Sequence, residues 1–257
     1  MSCFRCRAAL LVLVCAFAAP SHAKDWSELR IASEGARPPY NYVDANGELM
    51  GFEIDLGQEL CKRMKAACVF IPHDWESLVP ALLEGRVDAI MAALEITDAR
   101  LQTFDFSKPY VKMPNAFALP RDTALLDVKP ETLKQKTIGV EADGQHQSFL
   151  EARYPQAGIK AYDTLEDAIL DLAEARIDAV FGDKDSLADF LKRRDAQCCK
   201  IFADVPRDPA FFSEGIGVGL RQADQDLKAL FNKALDEAMK DGAFDAIARK
   251  YWEFGVR

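Results

Sequence analysis

An arginine close behind a buried strand is the residue in this sequence best suited to bind a small anion. Residues 87–94 are almost all apolar, which is typical of a strand buried on both faces. Thr97 and Asp98 then favour a helix start, so Arg100 falls in the first helical turn. Backbone N–H groups and a guanidinium at one helix end can together bind a carboxylate. From this segment alone, an ordinary surface arginine explains Arg100 equally well.

A second copy of the pattern lies 90 residues further along the chain. Residues 174–180 read E-A-R-I-D-A-V and match residues 84–90, E-G-R-V-D-A-I, with only conservative changes. In each copy an acidic segment with helical apolar periodicity comes first, and a loop follows the strand. Two such units predict two α/β lobes of similar plan rather than one large sheet.

The two copies are expected to bring polar residues to a single cleft. In open α/β sheets, ligands bind beyond the carboxyl ends of the strands. Those ends supply Ala92, Ala93 and Glu95 from the first unit, and Gly182 and Asp183 from the second. The arginine described above and several acids would therefore converge between the lobes.

The first 23 residues are interpreted as a cleavable signal peptide. Arg5 and Arg7 form a positive start, residues 8–19 an apolar core, and residues 21–23 a small-x-small cleavage site. The apolar run is short for a membrane span, so an uncleaved anchor is the weaker alternative. Cleavage removes two arginines and no acids, which takes the formal net charge from −9 to −11. This acidic balance argues against nucleic acid or an anionic membrane as partner.

Four cysteines remain after cleavage. An oxidising compartment favours a bridge between Cys61 and Cys68, which join a helix end to the next strand and would contribute about 2–3 kcal/mol. Two free buried thiols are the alternative. The adjacent Cys198 and Cys199 are either free thiols or a vicinal disulfide. We expect no metal site, because neither pair has C-x-x-C spacing.

The elements that must position these residues alternate along the chain. The predicted strands are 29–33, 68–71, 87–94, 137–140, 159–162 and 215–220, with a further strand within the second repeat at 174–183. The predicted helices are 51–64, 75–83, 147–154, 164–173, 186–194 and 224–240, with a final helix between Gly242 and Trp252. We expect residues 24–113 to form the first part of lobe 1, 114–206 lobe 2, and 207–257 the return to lobe 1. Two crossings between lobes, near 112–115 and 205–208, would permit hinge bending.

Five motifs along the chain resemble solute-binding family 3, the polar amino-acid-binding proteins of bacterial ABC importers. The motifs are G-F-E-I-D-L at 51–56, R-V-D-A-I at 86–90, I-T-D-A-R at 96–100, F-S-K-P-Y at 106–110 and G-V-G-L-R at 217–221. The resemblance extends over 29–254, and is greatest to the lysine/arginine/ornithine- and histidine-binding proteins. It implies a type II periplasmic-binding-protein-like fold, with two α/β lobes joined by a two-strand hinge.

The family resemblance also implies a function and partners. A periplasmic monomer would bind an amino acid between its lobes without a cofactor and deliver it to the membrane permease of an ABC transporter. Cys61 and Cys68 fall where the close relatives carry a disulfide.

Roles for individual residues follow from the same resemblance. Arg100 would hold the α-carboxylate of the ligand and Asp183 its α-ammonium group. Trp75 would stack along the aliphatic chain, and Glu34 would face the ligand side chain. The other pocket positions are Ala92, Ala93, Glu95, Glu141, Gly144 and His146.

Several of these positions depart from the close relatives. Ala92, Ala93 and Glu95 stand where serines are usual, Arg37 where an aromatic is usual, and His146 where glutamine is usual. The clamp for an α-amino acid is retained, whereas the part that selects the side chain differs. Arg37 either contacts the ligand or pairs with an acid, and the exact ligand stays open.

Charge counting favours a cationic ligand. The predicted lining has four acids and two arginines: Glu34, Glu95, Glu141 and Asp183 against Arg37 and Arg100. Since unpaired charge is costly in a closed cleft, we expect arginine, ornithine or lysine. The extra arginine leaves an opine-type conjugate of arginine as an alternative ligand.

Two other functions are compatible with the same fold. One is an enzyme resembling periplasmic cyclohexadienyl dehydratases, in which Glu95 or Glu141 would act as general acid. The other is a protein that reports ligand occupancy to a membrane receptor. The retained clamp for a zwitterion favours a non-catalytic binding protein for import.

Overall fold

The computed structural model describes residues 24–192 and 197–257. The predicted signal peptide, 1–23, and the end of the helix predicted over 186–194 lie outside the described residues. The strands are β1 (Glu28–Ser33), β2 (Ala36–Arg37), β3 (Asn41–Val43), β4 (Leu49–Met50), β5 (Ala67–Pro72), β6 (Ala89–Ile90), β7 (Asp105–Phe106), β8 (Asn115–Pro120), β9 (Thr137–Glu141), β10 (Gly158–Tyr162), β11 (Ala179–Asp183), β12 (Cys199–Val205) and β13 (Gly219–Leu220). The helices are α1 (Phe52–Met64), α2 (Trp75–Leu83), α3 (Asp98–Leu101), α4 (Gln145–Arg153), α5 (Leu165–Ala173), α6 (Lys184–Phe190), α7 (Gln225–Lys240) and α8 (Ala243–Ala248).

Two mixed five-stranded sheets form the centres of two α/β lobes. The first sheet has the order β5-β1-β6-β13-β7, in which β1 pairs in parallel with β5 and β6, and β13 returns antiparallel between β6 and β7. The second has the order β10-β9-β11-β8-β12, with β9 parallel to β10 and β11, and β8 antiparallel to β11 and β12. The structure therefore has the two-lobe α/β architecture predicted from the sequence.

Two connections join the lobes. The chain leaves the first sheet after β7 and enters the second at β8; it returns between β12 and β13. Within these connections Val111 and Ile216 form an isolated antiparallel bridge, and Ile216 also bridges Glu95. The predicted lobe boundaries, at 113/114 and 206/207, fall in these connections and stay a prediction.

Helices with one apolar side cover both faces of each sheet. In the first lobe α1, α7 and α8 share one apolar cluster with β1, and α2 packs in a second cluster on the opposite face. In the second lobe α5 and α6 pack in one cluster, and α4 packs in another. The carboxyl ends of the parallel strands are left for loops that face the cleft.

The aspartate of the sequence repeat, Asp88 in the first copy and Asp178 in the second, has the same structural role in both lobes. Asp88 Oδ2 accepts a hydrogen bond from the backbone N–H of Arg30 in β1 at 3.1 Å, and the Arg30 guanidinium also donates to this carboxylate. In the second lobe Asp178 Oδ2 accepts from the backbone N–H of Thr137 in β9 at 2.8 Å, and Lys136 Nζ donates to its other oxygen. Asp88 therefore joins the start of β6 to β1, and Asp178 joins the start of β11 to β9.

The strand predicted over 87–94 is shorter in the structure. All eight residues are buried, as predicted, but only Ala89–Ile90 pairs as a strand. Ala93 has a φ of +50°, and its N–H donates to the carboxylate of Glu53 rather than to another strand. The strand predicted over 215–220 is likewise reduced to Gly219–Leu220. Near the cleft, these segments therefore bond to the Glu53 side chain and to the connections between the lobes instead of to neighbouring strands.

Both cysteine pairs are bonded. Cys61 at the end of α1 is joined to Cys68 in β5, with a Cα–Cα distance of 6.2 Å, as predicted. Cys198 and Cys199, for which the sequence allowed either state, form a vicinal disulfide.

Replacing both Cys61 and Cys68 with alanine is expected to lower the free energy of unfolding by about 2–3 kcal/mol, because the open chain gains loop entropy in the unfolded state. Urea denaturation followed by circular dichroism measures this difference. The matched control is the Cys198→Ala/Cys199→Ala double variant, for which we expect a much smaller loss, since adjacent residues close almost no loop. Equal losses in the two double variants would contradict the prediction.

Among the described residues, no helix has the length and apolar character needed to cross a membrane.

Candidate functional site

A cavity of about 140 Å³ lies between the two lobes. Its charged lining residues are Arg37, Glu95, Asp183, Asp185 and Arg207. The first two come from lobe 1, the two aspartates from the carboxyl end of β11 and the start of α6, and Arg207 from the returning connection. Opposite charges therefore face one another across the gap between the lobes.

Arg100 lies beside this cavity on the single-turn helix α3. The Thr97 side chain caps the helix by accepting from the Arg100 backbone N–H at 3.4 Å, as the sequence predicted. The guanidinium donates through Nη1 to the carbonyl oxygen of Glu95 at 2.7 Å and lies 5.6 Å from the centre of the Trp75 ring. In the described part of the chain no carboxylate forms an ion pair with Arg100. Its remaining N–H groups are available to an anion.

Partial burial changes the electrostatics of this arginine. Burial lowers the pKa of Arg100; the nearby Glu95 carboxylate opposes this effect, and the Arg37 guanidinium adds to it. Two guanidinium groups thus repel each other in a partly desolvated position. A bound carboxylate would relieve that repulsion.

A buried glutamate supports the wall of the cavity at Ala93. Glu53, in α1, is fully buried and accepts from the Ala93 backbone N–H at 2.7 and 2.9 Å, from Asn41 Nδ2 at 2.6 Å and from the Tyr110 hydroxyl. These contacts hold Ala93 in the left-handed region that non-glycine residues disfavour. Burial raises the pKa of Glu53, whereas its three hydrogen-bond donors favour the carboxylate.

The position of Glu53 depends on the glycine before its helix. Gly51 has a φ of +119°, and a Cβ there would lie 2.5 Å from the Tyr40 carbonyl oxygen. The same oxygen accepts from the Glu53 backbone N–H at 2.8 Å. The close approach of α1 to Tyr40 therefore requires a glycine.

An acidic wall lines the cavity from the second lobe. Asp183 and Asp185 both line the cavity, and the Tyr40 hydroxyl donates to Asp185 Oδ2 across the lobes at 3.2 Å. Burial raises the pKa of Asp185, and the charge of Asp183 raises it further. Burial likewise raises the pKa of Tyr40, and both aspartates add to that shift. Two carboxylates thus interact repulsively on the cavity lining.

His146 contacts this wall from α4. Its Nε2 lies 3.1 Å from Asn115 Oδ1 and 3.5 Å from Asp183 Oδ1. The imidazole packs against the rings of Phe181 and Phe212, with centroid distances of 5.5 and 5.3 Å. Asp183 is therefore held from its protein side by a histidine.

Arg207 ties the two connections together. Its Nη1 donates to the Met113 carbonyl at 2.6 Å and its Nη2 to the Ser213 carbonyl at 3.2 Å. Arg207 Nε and Ser213 Oγ are buried without a partner among the described residues. This arginine thus lines the cavity while it bonds both crossings of the chain.

The structure assembles part of the predicted site. Arg37, Ala93, Glu95 and Asp183 line the cavity, and Arg100, Trp75 and His146 connect to those residues through the contacts above. Arg100, Trp75 and His146 are not themselves on the lining, and three further predicted residues lie off it: Glu34 is half-buried after β1, Glu141 is exposed at the end of β9, and Gly144 is the N-cap of α4. The roles of all ten toward a ligand stay predictions.

The sequence missed Glu53, Asp185 and Arg207. A weak signal existed for Glu53, because it lies on the apolar side of α1 with Leu56 and Leu60. Arg37 forms no ion pair with Glu34 or Glu95 in the range that the structure describes, so it remains available to other partners.

No group of three or more histidine, cysteine, aspartate or glutamate side chains suited to a metal ion occurs within residues 24–192 and 197–257.

The chain matches known proteins over nearly its whole length. Residues 29–255 match the model of the bacterial extracellular solute-binding proteins, family 3. The L-arginine-binding protein of Pseudomonas aeruginosa is 33% identical over 240 residues, which cover 92% of each chain. The lysine/arginine/ornithine-binding periplasmic protein of Escherichia coli is 33% identical over 242 residues, which cover 93% of each chain.

A solved structure is similar as well. An ancestral arginine-binding protein bound to arginine superposes with a TM-score of 0.56 at 29% identity, covering 90% of this chain and all of that one. The two-lobe fold, the motifs and these matches agree, and the chain belongs to the bacterial extracellular solute-binding proteins of family 3.

Proposed function

We propose that this protein is a periplasmic binding protein that captures a cationic amino acid between its lobes and delivers it to an ABC importer. It would act as a monomer that docks transiently on the membrane permease. Residues 24–113 with 207–257, and residues 114–206, would close as two lobes about the connections. The observation that carries the proposal is the cavity between the lobes, with Asp183 and Asp185 on its lobe 2 side and Arg100 bonded to the carbonyl of the lining residue Glu95.

The arginine wall fits an α-carboxylate. A guanidinium presents a planar fork that matches a carboxylate in two parallel hydrogen bonds. The bond from Nη1 to the Glu95 carbonyl and the Trp75 ring fix this fork in one orientation. Since the group is partly buried, its attraction to an anion is stronger than it would be in water.

The acidic wall fits a cation. Burial and the negative charge of Asp183 both raise the pKa of Asp185, which means that both disfavour the Asp185 carboxylate. A positive ligand group would stabilise this carboxylate against both effects. On the cavity lining, Glu95, Asp183 and Asp185 outnumber Arg37 and Arg207. The sequence-based count used Glu34 and Glu141 in place of Asp185, and Arg100 in place of Arg207. With Arg100 beside the cavity counted as well, three acids and three arginines balance, so the case for a basic side chain rests on Asp183 and Asp185 lying together on the second lobe.

The relatives support the same ligand class. The two curated relatives are named for arginine and for lysine, arginine and ornithine, and the matched structure holds arginine. They are named as binding proteins, which supports a non-catalytic role. A dehydratase-like reaction would need a general acid in a desolvated position. Glu141, one of the two candidates, is exposed and lies off the cavity lining.

Calorimetry across the twenty amino acids plus ornithine, citrulline and octopine tests this function. We expect arginine, ornithine or lysine to bind tightest. Citrulline, which has nearly the shape of arginine without its charge, should bind at least about 30-fold more weakly, since a buried acid would lose its partner. A hundredfold excess of ligand over Kd should raise the free energy of unfolding by about 2.7 kcal/mol.

Three outcomes of these measurements would redirect the proposal. Tight binding of glutamate or leucine without binding of basic ligands would overturn it. Tight binding of octopine with weak binding of arginine would favour the opine alternative. Product formation from prephenate or arogenate would favour the enzyme.

A further inference from the structure

Glu95 marks one end of the cavity between the lobes. Glu95, Arg207 and Ser213 line this cavity together with a neighbouring one, which continues past the start of α3. The Arg100 guanidinium, which is on α3, donates to the Glu95 carbonyl oxygen at 2.7 Å. A ligand whose α-carboxylate binds Arg100 would therefore have its α-carbon at this end.

Asp185 marks the other end of the cavity. Pro38, Asp185 and Ser186 line it together with a second neighbour of about 650 Å³, which lies between α6 and residues 249–254. The two neighbouring cavities share no lining residue within the described part of the chain, so the two ends are distinct. Of these three cavities Asp183 lines only the middle one.

The Asp185 carboxylate is held by two uncharged donors. Its Oδ1 accepts from the Ser186 backbone N–H at 2.8 Å, and its Oδ2 accepts from the Tyr40 hydroxyl at 3.2 Å. A carboxylate can accept about four hydrogen bonds, so two positions are left for a further donor. Among the described residues no cationic side chain pairs with Asp185. The carboxylate is therefore oriented by the protein and still lacks a counter-charge.

The other acids are less well placed for the side chain of a ligand. Glu95 lies at the opposite end of the cavity, and Glu34, to which the family resemblance gave this role, does not line it. Asp183 precedes Asp185 by two residues, at the point where β11 leads into α6. Because both aspartates are in the second lobe, closure of the lobes would move them together.

We propose that Asp185 is the residue that selects a cationic side chain, whereas Asp183 holds the α-ammonium group. An extended ligand would run from Arg100 past Asp183 to Asp185, and its side-chain cation would donate to the Asp185 carboxylate. The Tyr40 hydroxyl and the Ser186 N–H orient that carboxylate. This assignment rests on the proposed function, because it requires a basic amino acid in the cavity.

Calorimetry with a charged ligand and its neutral analogue tests the assignment. Arginine is paired with citrulline, and lysine with norleucine. Asp185→Asn should weaken arginine binding about 30-fold or more and citrulline binding less than about threefold, because citrulline has no side-chain charge to pair. Asp183→Asn should weaken both ligands of a pair by the same factor within about threefold, since both carry the α-ammonium group.

Asp189→Asn is the matched control. Asp189 lies one turn further along α6, is exposed and does not line the cavity. The variant removes the same negative charge from the same helix, so Kd for arginine should stay within about twofold of wild type. A loss equal to that of Asp185→Asn would assign the effect to the charge of the helix and overturn the proposal.

A crystal structure of the wild-type protein with arginine provides a test without a variant. A guanidinium nitrogen should lie within about 3.2 Å of an Asp185 carboxylate oxygen. A guanidinium bonded to Glu95 or Glu34 instead would overturn the assignment.

The remaining failures can be told apart. Equal weakening of arginine and citrulline in Asp185→Asn, or no weakening of either, would overturn the role of Asp185 and leave the proposed function standing. Absence of binding of any basic amino acid to wild type would overturn both.

Discussion

Replacing Arg100 with lysine should weaken arginine binding by about 2–5 kcal/mol, which is roughly 30- to 5,000-fold in Kd. The guanidinium bonds the Glu95 carbonyl through Nη1, which leaves Nε and Nη2 for a carboxylate. A lysine ammonium is a point charge that cannot bond this carbonyl and also match both oxygens of a carboxylate. Titration calorimetry at about pH 7.5 measures the loss. Asp183→Asn should lose nearly as much, since the ammonium group of the ligand would lose the carboxylate assigned to it.

The matched control for Arg100→Lys is Arg86→Lys. Arg86 is exposed and its Nε donates to Glu84 at 2.7 Å, so the change removes only a surface pair. We expect Kd to stay within about twofold of wild type in this control. Wild-type affinity in the Arg100→Lys variant, with unchanged thermal stability, would refute the role given to Arg100.

Replacing Glu53 with alanine should lower the free energy of unfolding by about 3–5 kcal/mol. The change leaves three buried donors without an acceptor: the Ala93 N–H, the Asn41 amide and the Tyr110 hydroxyl. It also leaves a cavity beneath the binding wall. Urea denaturation measures the loss, and calorimetry should show weaker arginine binding because Ala93 is no longer held in its left-handed conformation.

Asp55→Ala on the same helix is the control for this variant. Asp55 pairs with Lys250 and Tyr251 near the surface, so its loss should cost about 1 kcal/mol or less. Comparable losses for the two variants would show that the network around Glu53 contributes no more than a surface pair.

The protonation of Glu53 gives this prediction a pH dependence. Burial raises the pKa of Glu53 above its ordinary value of 4.5, so the native state holds this proton more tightly than the unfolded chain does. The corresponding stabilisation is complete below the ordinary value and is lost as the pH rises through the raised pKa. The difference in unfolding free energy between wild type and Glu53→Gln should therefore change across that window, in favour of wild type at the acidic end.

Local features of the sequence determined the plan of this protein. The repeated E-x-R-x-D pattern, the apolar run over 87–94 and the helix start at Thr97 predicted two α/β lobes and placed Arg100 in α3. The short separation of Cys61 and Cys68 predicted their disulfide. These features were predictable because periodicity, helix capping and short loops depend on residues close together in the chain.

The tertiary structure decided which residues meet at the cavity. Glu53 gathers donors 12, 40 and 57 residues away, and one of them ends the strand predicted over 87–94. Asp185 lines the cavity and accepts a hydrogen bond from Tyr40, which lies 145 residues earlier in the chain. Glu34 and Glu141 do not line the cavity. Such contacts depend on strand order and on how the two lobes face each other. Neither is encoded in the spacing of neighbouring residues, because both result from packing whole sheets and helices around separate cores.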